Sequence, residues 1–358
     1  MNEPLAPPRP PVPLARWALI ALAVGGLAGA FAYVAGYLDP QRLTPKRLVD
    51  QLQTNGGLHP GYRRNHAKGV CVIGRFDSNG AAAPYSRAAL FAAGASTPLV
   101  GRFALPGGNP YAPDGGVPIR SLALRLTQPD GQQWRTGMNN MPVFPVATPQ
   151  AFFEQLRATA PDPATGKPDP AKQKAFFEAH PETSAFRAWI KEQKPSASYA
   201  TDSYYGLNAF YFVGADGARH AVRWRVEADN GAAAAPLGAQ DVNTLAAELE
   251  HRLAQGPLRW RLWATLAAAG DPVDDATKVW PAQRPQIDAG TLILERAQDQ
   301  DSGECRDINY DPMVLPDGIV ASADPLLPAR SAAYAESYRR RTAEEAHAGG
   351  RPPQEAAR

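Results

Sequence analysis

Short runs of alternating apolar and polar residues, with turn residues between them, narrow the architectures open to this chain more than any other feature. From Ile119 to Thr127, Ile119, Leu122, Leu124 and Leu126 stand against Arg120, Ser121 and Arg125. The Pro129-Asp130-Gly131 turn then leads to Gln133-Trp134-Arg135, which is a hairpin signal. Asn208 to Val213, the turn at 214–217 and His220 to Val226 read as a second hairpin. Leu258 to Ala264 alternates again. Val70 to Phe76 and Pro98 to Phe103 read as strands, and Thr277 to Pro281 and Ile293-Leu294 as the last extended pieces. Helical stripes interrupt the series at Pro149–Ala158, Thr183–Gln193 and Asp241–Gln255, and an alanine-rich helix over Leu327–His347 ends it. Hairpins with helices inserted between them predict an α+β protein: a closed antiparallel β-barrel of about eight strands with inserted and C-terminal helices.

A second feature lies outside that pattern. Trp17 to Leu38 carries no charge, is long enough to cross a bilayer as a helix, and has Trp17 and Tyr37 near its ends. A secretory signal peptide is the rival reading, with Ala30-Phe31-Ala32 imitating a cleavage site, but the apolar run exceeds the usual length of such a core. We expect one N-terminal transmembrane helix that is retained. Arg9 and Arg16 precede the span and Arg42, Lys46 and Arg47 follow it, so charge counting leaves its orientation open; a cytoplasmic tail and an exported body are expected. The organisation expected is a disordered cytoplasmic tail over residues 1–16, the anchor over 17–38 and a linker helix over 39–59, opened by Thr44-Pro45. A core over 60–342 and a disordered tail over 343–358 follow.

Net charge narrows the function. The 37 basic and 35 acidic residues leave +2, which is no footprint for nucleic acid. Arg223-Trp224-Arg225 alternates basic and aromatic residues and reads as the outer face of a strand. The two cysteines, Cys71 and Cys305, sit in no metal-ligand spacing; a bond between them is open if the body is exported.

The candidates for chemistry begin at Gly61 to Gly69, where a basic cluster and His66 precede the apolar strand Val70–Phe76. Arg330, Tyr334 and Arg341, spaced four and seven apart, share one helix face. Positive charge on both sides favours the phenolate of Tyr334, and a phenolate can hold a ferric ion. Arg63, Arg102 and Arg341 recur beside apolar strands or on that helix, and buried arginines need anionic partners. Ordinary pairing with aspartates such as Asp77 or Asp114 is the plain alternative to a bound dianion.

Six dispersed stretches now resemble, in order, the signatures of haem catalases. They are Arg63-Arg64-Asn65-His66-Ala67-Lys68-Gly69, Arg102-Phe103, Met138–Phe144, Thr277–Pro281, Asn309-Tyr310-Asp311-Pro312 and Arg330-Ser331-Ala332-Ala333-Tyr334. The likeness covers about residues 60–341 and is nearest to the small catalase-related peroxidases, since the chain ends soon after the tyrosine helix, without the C-terminal helical domain of true catalases. It implies a catalase-like barrel around haem b. It also implies that His66 is the distal acid–base and that Asn139 positions peroxide. Tyr334 would bind iron on the proximal side, and Arg330 would bond its phenolate oxygen. Arg63, Arg102 and Arg341 would hold the propionates, and Phe152 is a candidate for the ring packed over the distal face.

The departures from the family pattern set the expected substrate. Asn65 stands where the family has valine, and a polar amide there would bond the substrate or reorient His66. Ala104 stands where catalases have a serine that bonds the distal imidazole, and Pro106 replaces a channel valine. A wider access route follows, and with it better reduction of organic hydroperoxides than dismutation of hydrogen peroxide. The expected partners are a peroxide, an electron donor that the sequence does not identify, and the membrane. A fatty-acid hydroperoxide isomerase or dehydratase on the same fold, and a haem carrier without catalysis, remain as alternatives at this point.

Overall fold

The computed structural model describes residues 14–35, 37, 39, 42–231, 237–238 and 241–347. They fall into two compact units that divide between Thr44 and Pro45. In the first unit, helix α1 (Leu14–Val34) has exposed apolar side chains, Trp17, Leu19, Leu22 and Phe31 among them. It starts earlier and ends sooner than the apolar run suggests. Leu14, Ala15 and Arg16 are helical where a disordered tail was expected, because nothing in Leu-Ala-Arg breaks a helix. The rest of that tail, residues 1–13, lies outside the described residues.

The second unit opens with α2 (Pro45–Gly56), which begins at the expected proline. Among the described residues ten strands follow: β1 (Gly69–Ser78), β2 (Ser96–Ala104), β3 (Ser121–Thr127), β4 (Gln133–Asn139), β5 (Tyr204–Tyr205), β6 (Phe210–Val213), β7 (Arg219–Ala228), β8 (Leu258–Leu266), β9 (Gln286–Gln298) and β10 (Ile319–Ala321). Helices α3 (Pro149–Ala158), α4 (Pro170–Ala179) and α5 (Ser184–Glu192) lie between β4 and β5, α6 (Thr244–Gln255) between β7 and β8, and α7 (Leu326–His347) at the end. Residues 343–347, expected as tail, are the last turn of α7; residues 348–358 lie outside the described residues.

Antiparallel pairing runs β1-β2-β3-β4-β5-β7-β8-β9 and returns from β9 to β1, so eight strands close a barrel. One edge of β7 is shared: Arg219 to Val222 pair with β6, and Arg225 and Val226 with β5. The first strand bends at a bulge between Ile73 and Gly74. A Cβ at Gly74 would meet the Ile293 carbonyl oxygen at 1.9 Å, so only glycine permits the approach. Thr277 to Pro281 is not a strand. It is an irregular loop whose Trp280 lies beneath the Arg223 guanidinium, 4.6 Å from the ring centre, while its indole donates to the Pro272 carbonyl.

Side chains fill the barrel. Val72 and Phe76, Leu99 and Phe103, Leu122 and Leu126, Trp134, Trp224 and Trp260 all point inward and are buried. A gap among Phe76, Leu126, Trp134 and Trp224 measures only about 10 Å³, less than one water needs in comfort. The alternation that predicted the barrel therefore gives it a solid core, and no cofactor fits inside. The expectation of a barrel built around its cofactor is corrected here: any such group lies on the outer face. Trp224 belongs to the interior, donating to the Thr136 hydroxyl at 3.0 Å, and only its neighbours Arg223 and Arg225 face out.

Candidate active site

A cavity of about 520 Å³ lies on the outer face of β3 and β4, under α2, α3 and α7. Arg63, His66, Arg102, Asn139, Phe152, Arg330, Tyr334 and Arg341 all line it. The fold thus brings together every residue that the sequence singled out for chemistry, from stretches spread over most of the chain.

His66 ends the basic segment in a left-handed conformation, φ 57°, which costs a residue with a side chain on the order of 1–3 kcal/mol unless its surroundings hold it. Several contacts do. The Asn65 side-chain oxygen accepts from the His66 backbone N–H at 3.0 Å and from the Gly107 N–H at 2.8 Å. One Arg102 nitrogen donates to the His66 carbonyl at 2.8 Å, and another to the Ala67 carbonyl at 3.1 Å. Asn65 therefore works on the backbone; of the two uses expected for it, the observed contacts serve the placing of His66. The imidazole is held less firmly, with the Leu105 backbone beside it. Its Nδ1 is buried without a hydrogen-bond partner, and Ala104, which also lines the cavity, has no hydroxyl to offer. Burial, reinforced by the positive charges of Arg102, Arg330 and Arg63 and opposed by the Leu105 backbone, pushes the imidazole down to about 4. At neutral pH His66 is an uncharged base.

The basic cluster divides its labour. Arg64 pairs with Glu344 of α7, and Lys68 with the buried Asp114 at 2.7 Å. Arg63 donates to the carbonyls of Cys305, Arg306 and Ile308 at 3.0–3.1 Å. Arg341 donates to the Arg306 carbonyl, with Asp307 at 3.6 Å. Asp77 pairs with Arg75, so these two carboxylates do not serve Arg63, Arg102 or Arg341, but the ordinary aspartate pairing expected as the plain alternative does occur at Arg341, with Asp307. Burial lowers all three guanidiniums: Arg63 well below its ordinary range, with Arg102 and Arg341 adding repulsion, Arg102 to about 10, and Arg341 below its ordinary range, with Glu345 and Asp307 pulling the other way. Buried positive charge met mainly by carbonyl dipoles is a receptor for anions. The Nε atoms of Arg102 and Arg341 are buried without partners.

On α7, one Arg330 nitrogen stands 3.5 Å from the Tyr334 hydroxyl and a second bonds the Asn208 side-chain oxygen. The Asn208 amide donates to buried Asp324 at 2.7 Å. Burial raises the Asp324 carboxyl, with Asn208, the Leu326 backbone and Arg330 pulling the other way. Arg341, by contrast, stacks on Tyr338 at 5.2 Å, so the arginine next to Tyr334 is Arg330. Tyr310, also at the cavity, is pushed up to about 12 by burial and stays a phenol. Sequence reasoning passed over Asn208 and Asp324; their only signal is a contact across 116 residues. It also passed over Ser121 as a site residue, whose hydroxyl donates to the Asn139 side-chain oxygen at 2.6 Å.

Cys71, on the outer face of β1, is bonded to Cys305, with the Cα atoms 5.3 Å apart. The bond ties the barrel to the segment whose carbonyls receive Arg63.

Residues 39–348 match the model of a family described as Catalase. The chain belongs to the catalase family. It is 41% identical to a catalase-related peroxidase of Synechococcus elongatus over 91% of this chain and 96% of that one. A second catalase-related peroxidase, from Mycolicibacterium paratuberculosis, is 30% identical over 84% and 95%. Against a catalase of Pseudomonas syringae the identity is 26%, and 62% of that protein's length is matched. A solved bacterial catalase superposes with a TM-score of 0.71 at 22% identity, covering 83% of this chain and 61% of its own, which places the fold. The family makes this an oxidoreductase of the catalase and peroxidase kind, acting on peroxide.

Catalase-family proteins generally bind haem, and the cavity fits a flat dianion with a metal at its centre. Ala123 and Gly137 line the outer face of β3 and β4 with almost no side chain. A Cβ at Gly137 would meet an Arg330 nitrogen at 3.1 Å and the Tyr334 hydroxyl oxygen at 3.6 Å. A smooth floor, a phenol beside it and buried guanidiniums with spare N–H groups suit a planar macrocycle with two carboxylates.

Proposed function

We propose that this protein is a haem b-dependent peroxidase that reduces organic hydroperoxides, with little dismutation of hydrogen peroxide. One observation carries the proposal: His66 and Asn139 share a single cavity with Tyr334 and three buried arginines. Tyr334 would hold the iron, with Arg330 bonding its oxygen; Arg63, Arg102 and Arg341 would take the carboxylates, and Phe152 would cover the face towards His66. Haem, when bound, supplies the redox-active iron at which the peroxide O–O bond is cleaved. The chain supplies the rest. Neutral His66 accepts the proton from one peroxide oxygen and returns it to the departing oxygen, so that alcohol leaves in place of alkoxide. The Asn139 amide donates a hydrogen bond to the charge that develops on the way. Leu48, Leu52, Phe152, Leu156 and Phe186 give the cavity apolar walls, which favour a hydroperoxide with a carbon chain. Two electrons from a donor and two protons complete the conversion of ROOH to ROH and water.

In the same proposal, α1 anchors the protein in a bacterial-type inner membrane, with the body on the outer side. The helix spans about 30 Å, the thickness of a bilayer's hydrocarbon core. The Cys71–Cys305 bond supports an oxidising compartment.

The test is an optical spectrum of the full-length protein in detergent beside Tyr334→Phe, followed by cumene hydroperoxide and a dye donor. We expect a high-spin ferric spectrum with a phenolate charge-transfer band, lost in the variant, and stoichiometric donor oxidation. A rearranged hydroperoxide formed without donor, or turnover of hydrogen peroxide alone at catalase-like rates, would overturn the peroxidase reading.

A further inference from the structure

We infer that Ser121 is a positioning residue for Asn139, its hydroxyl deciding which end of the amide faces the substrate. The inference rests on the proposed peroxidase, because it assigns a task to Asn139. Gly69, Ala104, Ser121 and Asn139 are successive cross-strand partners from β1 to β4. The last three line the cavity. Ser121 is buried, and its Oγ lies 2.6 Å from the Asn139 oxygen.

An amide side chain presents an acceptor at one end and two donors at the other, and a half-turn about its last bond exchanges them. The Ser121 hydroxyl donates to the oxygen and holds that end against β3. The NH₂ end is then the one left for a peroxide oxygen. With no hydroxyl at 121 the amide is free to turn, and in half of its orientations it meets the substrate's lone pairs with its own. Ala104, the neighbour of Ser121 in the same row, gives His66 nothing, and His66 Nδ1 stays without a partner. The one hydroxyl among these paired positions therefore sits under the amide.

The test uses the full-length, haem-loaded protein in detergent, with Ser121→Ala, Ser121→Thr, Asn139→Ala and the Ser121→Ala/Asn139→Ala double variant. Two readouts are taken: azide affinity by optical titration, and the rate of the first reaction with cumene hydroperoxide in a single turnover. One net hydrogen bond predicts that Ser121→Ala weakens azide binding and slows the reaction by roughly three- to tenfold. Ser121→Thr should restore both. In the Asn139→Ala background, removing Ser121 should change neither, because its effect passes through the amide. Wild-type behaviour of Ser121→Ala, or an equal loss with and without Asn139, overturns the inference. If the wild-type haem protein binds azide but does not react with the hydroperoxide, the peroxidase reading fails, and the azide arm still decides the role of Ser121.

Discussion

The two walls of the cavity are braced by different means. Behind Tyr334 the polar support runs through side chains, from Arg330 to Asn208 to the buried carboxylate of Asp324. Behind His66 it runs through backbone: Asn65 and Arg102 grip the main chain on either side, and the imidazole itself is left with an empty Nδ1. The difference suits the tasks proposed for the two walls. A tyrosine proposed to hold a metal gains from a chain of charge-assisted bonds that fixes its place, and a histidine proposed to carry a proton gains from a fixed main chain and a lightly held ring.

The contrast can be broken most visibly at the ring. His66→Ala should leave haem binding intact, as judged by the Soret band, and slow the reaction with hydroperoxide by roughly 10²- to 10⁴-fold. A loss of haem in that variant would mean that His66 supports the pocket's structure and not its chemistry. On the opposite wall, Asn208→Ala strands an Arg330 nitrogen and the Asp324 carboxylate together. Unfolding by urea should then show a loss of about 2–3 kcal/mol, together with a shift of the phenolate band; an unchanged band would mean that the side-chain relay ends at Arg330.

The smallest effect sharpens the comparison through pH. His66 titrates at about 4 in the fold against an ordinary 6.5. Between those values the unfolded chain takes up the proton and the folded chain does not, so stability falls as pH is lowered through that window. The slope is at most about 1.4 kcal/mol per pH unit. Asp202, pushed up to about 6 by burial, acts in the opposite sense. The quantity to measure is therefore the difference between wild type and His66→Ala without haem, from pH 7 down to pH 4. Parallel curves would show that the ring takes up its proton as readily in the fold as in the unfolded chain.

Much of this was legible in the residues themselves. The long strands announce themselves because a filled interior demands an apolar residue at every second position, as in Leu122, Leu124 and Leu126. The helix over Pro149–Ala158 appears where its pattern places it, because Thr148 caps it and proline opens it. Short closing elements were not legible. Tyr204-Tyr205 and Ile319–Ala321 are too brief for any period to show, and they are strands only because β7 and β6 offer free edges. Thr277 to Pro281 misled in the other direction: a β-branched, aromatic stretch lies in a loop because its tryptophan is needed under Arg223. In the site, motif residues were found one by one. Those that support them were not, because Ser121 meets Asn139 only through strand register, and Asn208 meets Asp324 only once the chain has turned back on itself.

The order in which the chain is made has a bearing on when the cavity exists. His66 and the strands beneath it belong to the first half of the polypeptide, whereas Tyr334 and Arg341 lie on its last helix. The seam between β1 and β9, and the bond across 234 residues from Cys71 to Cys305, also wait for the late segments. A nascent chain that stops short of α7 has the floor of the cavity but neither Tyr334 nor Arg341, and a chain that folds without sealing its seam leaves the carbonyls that receive Arg63 unanchored. On the proposed reading, the haem site is complete only when synthesis is.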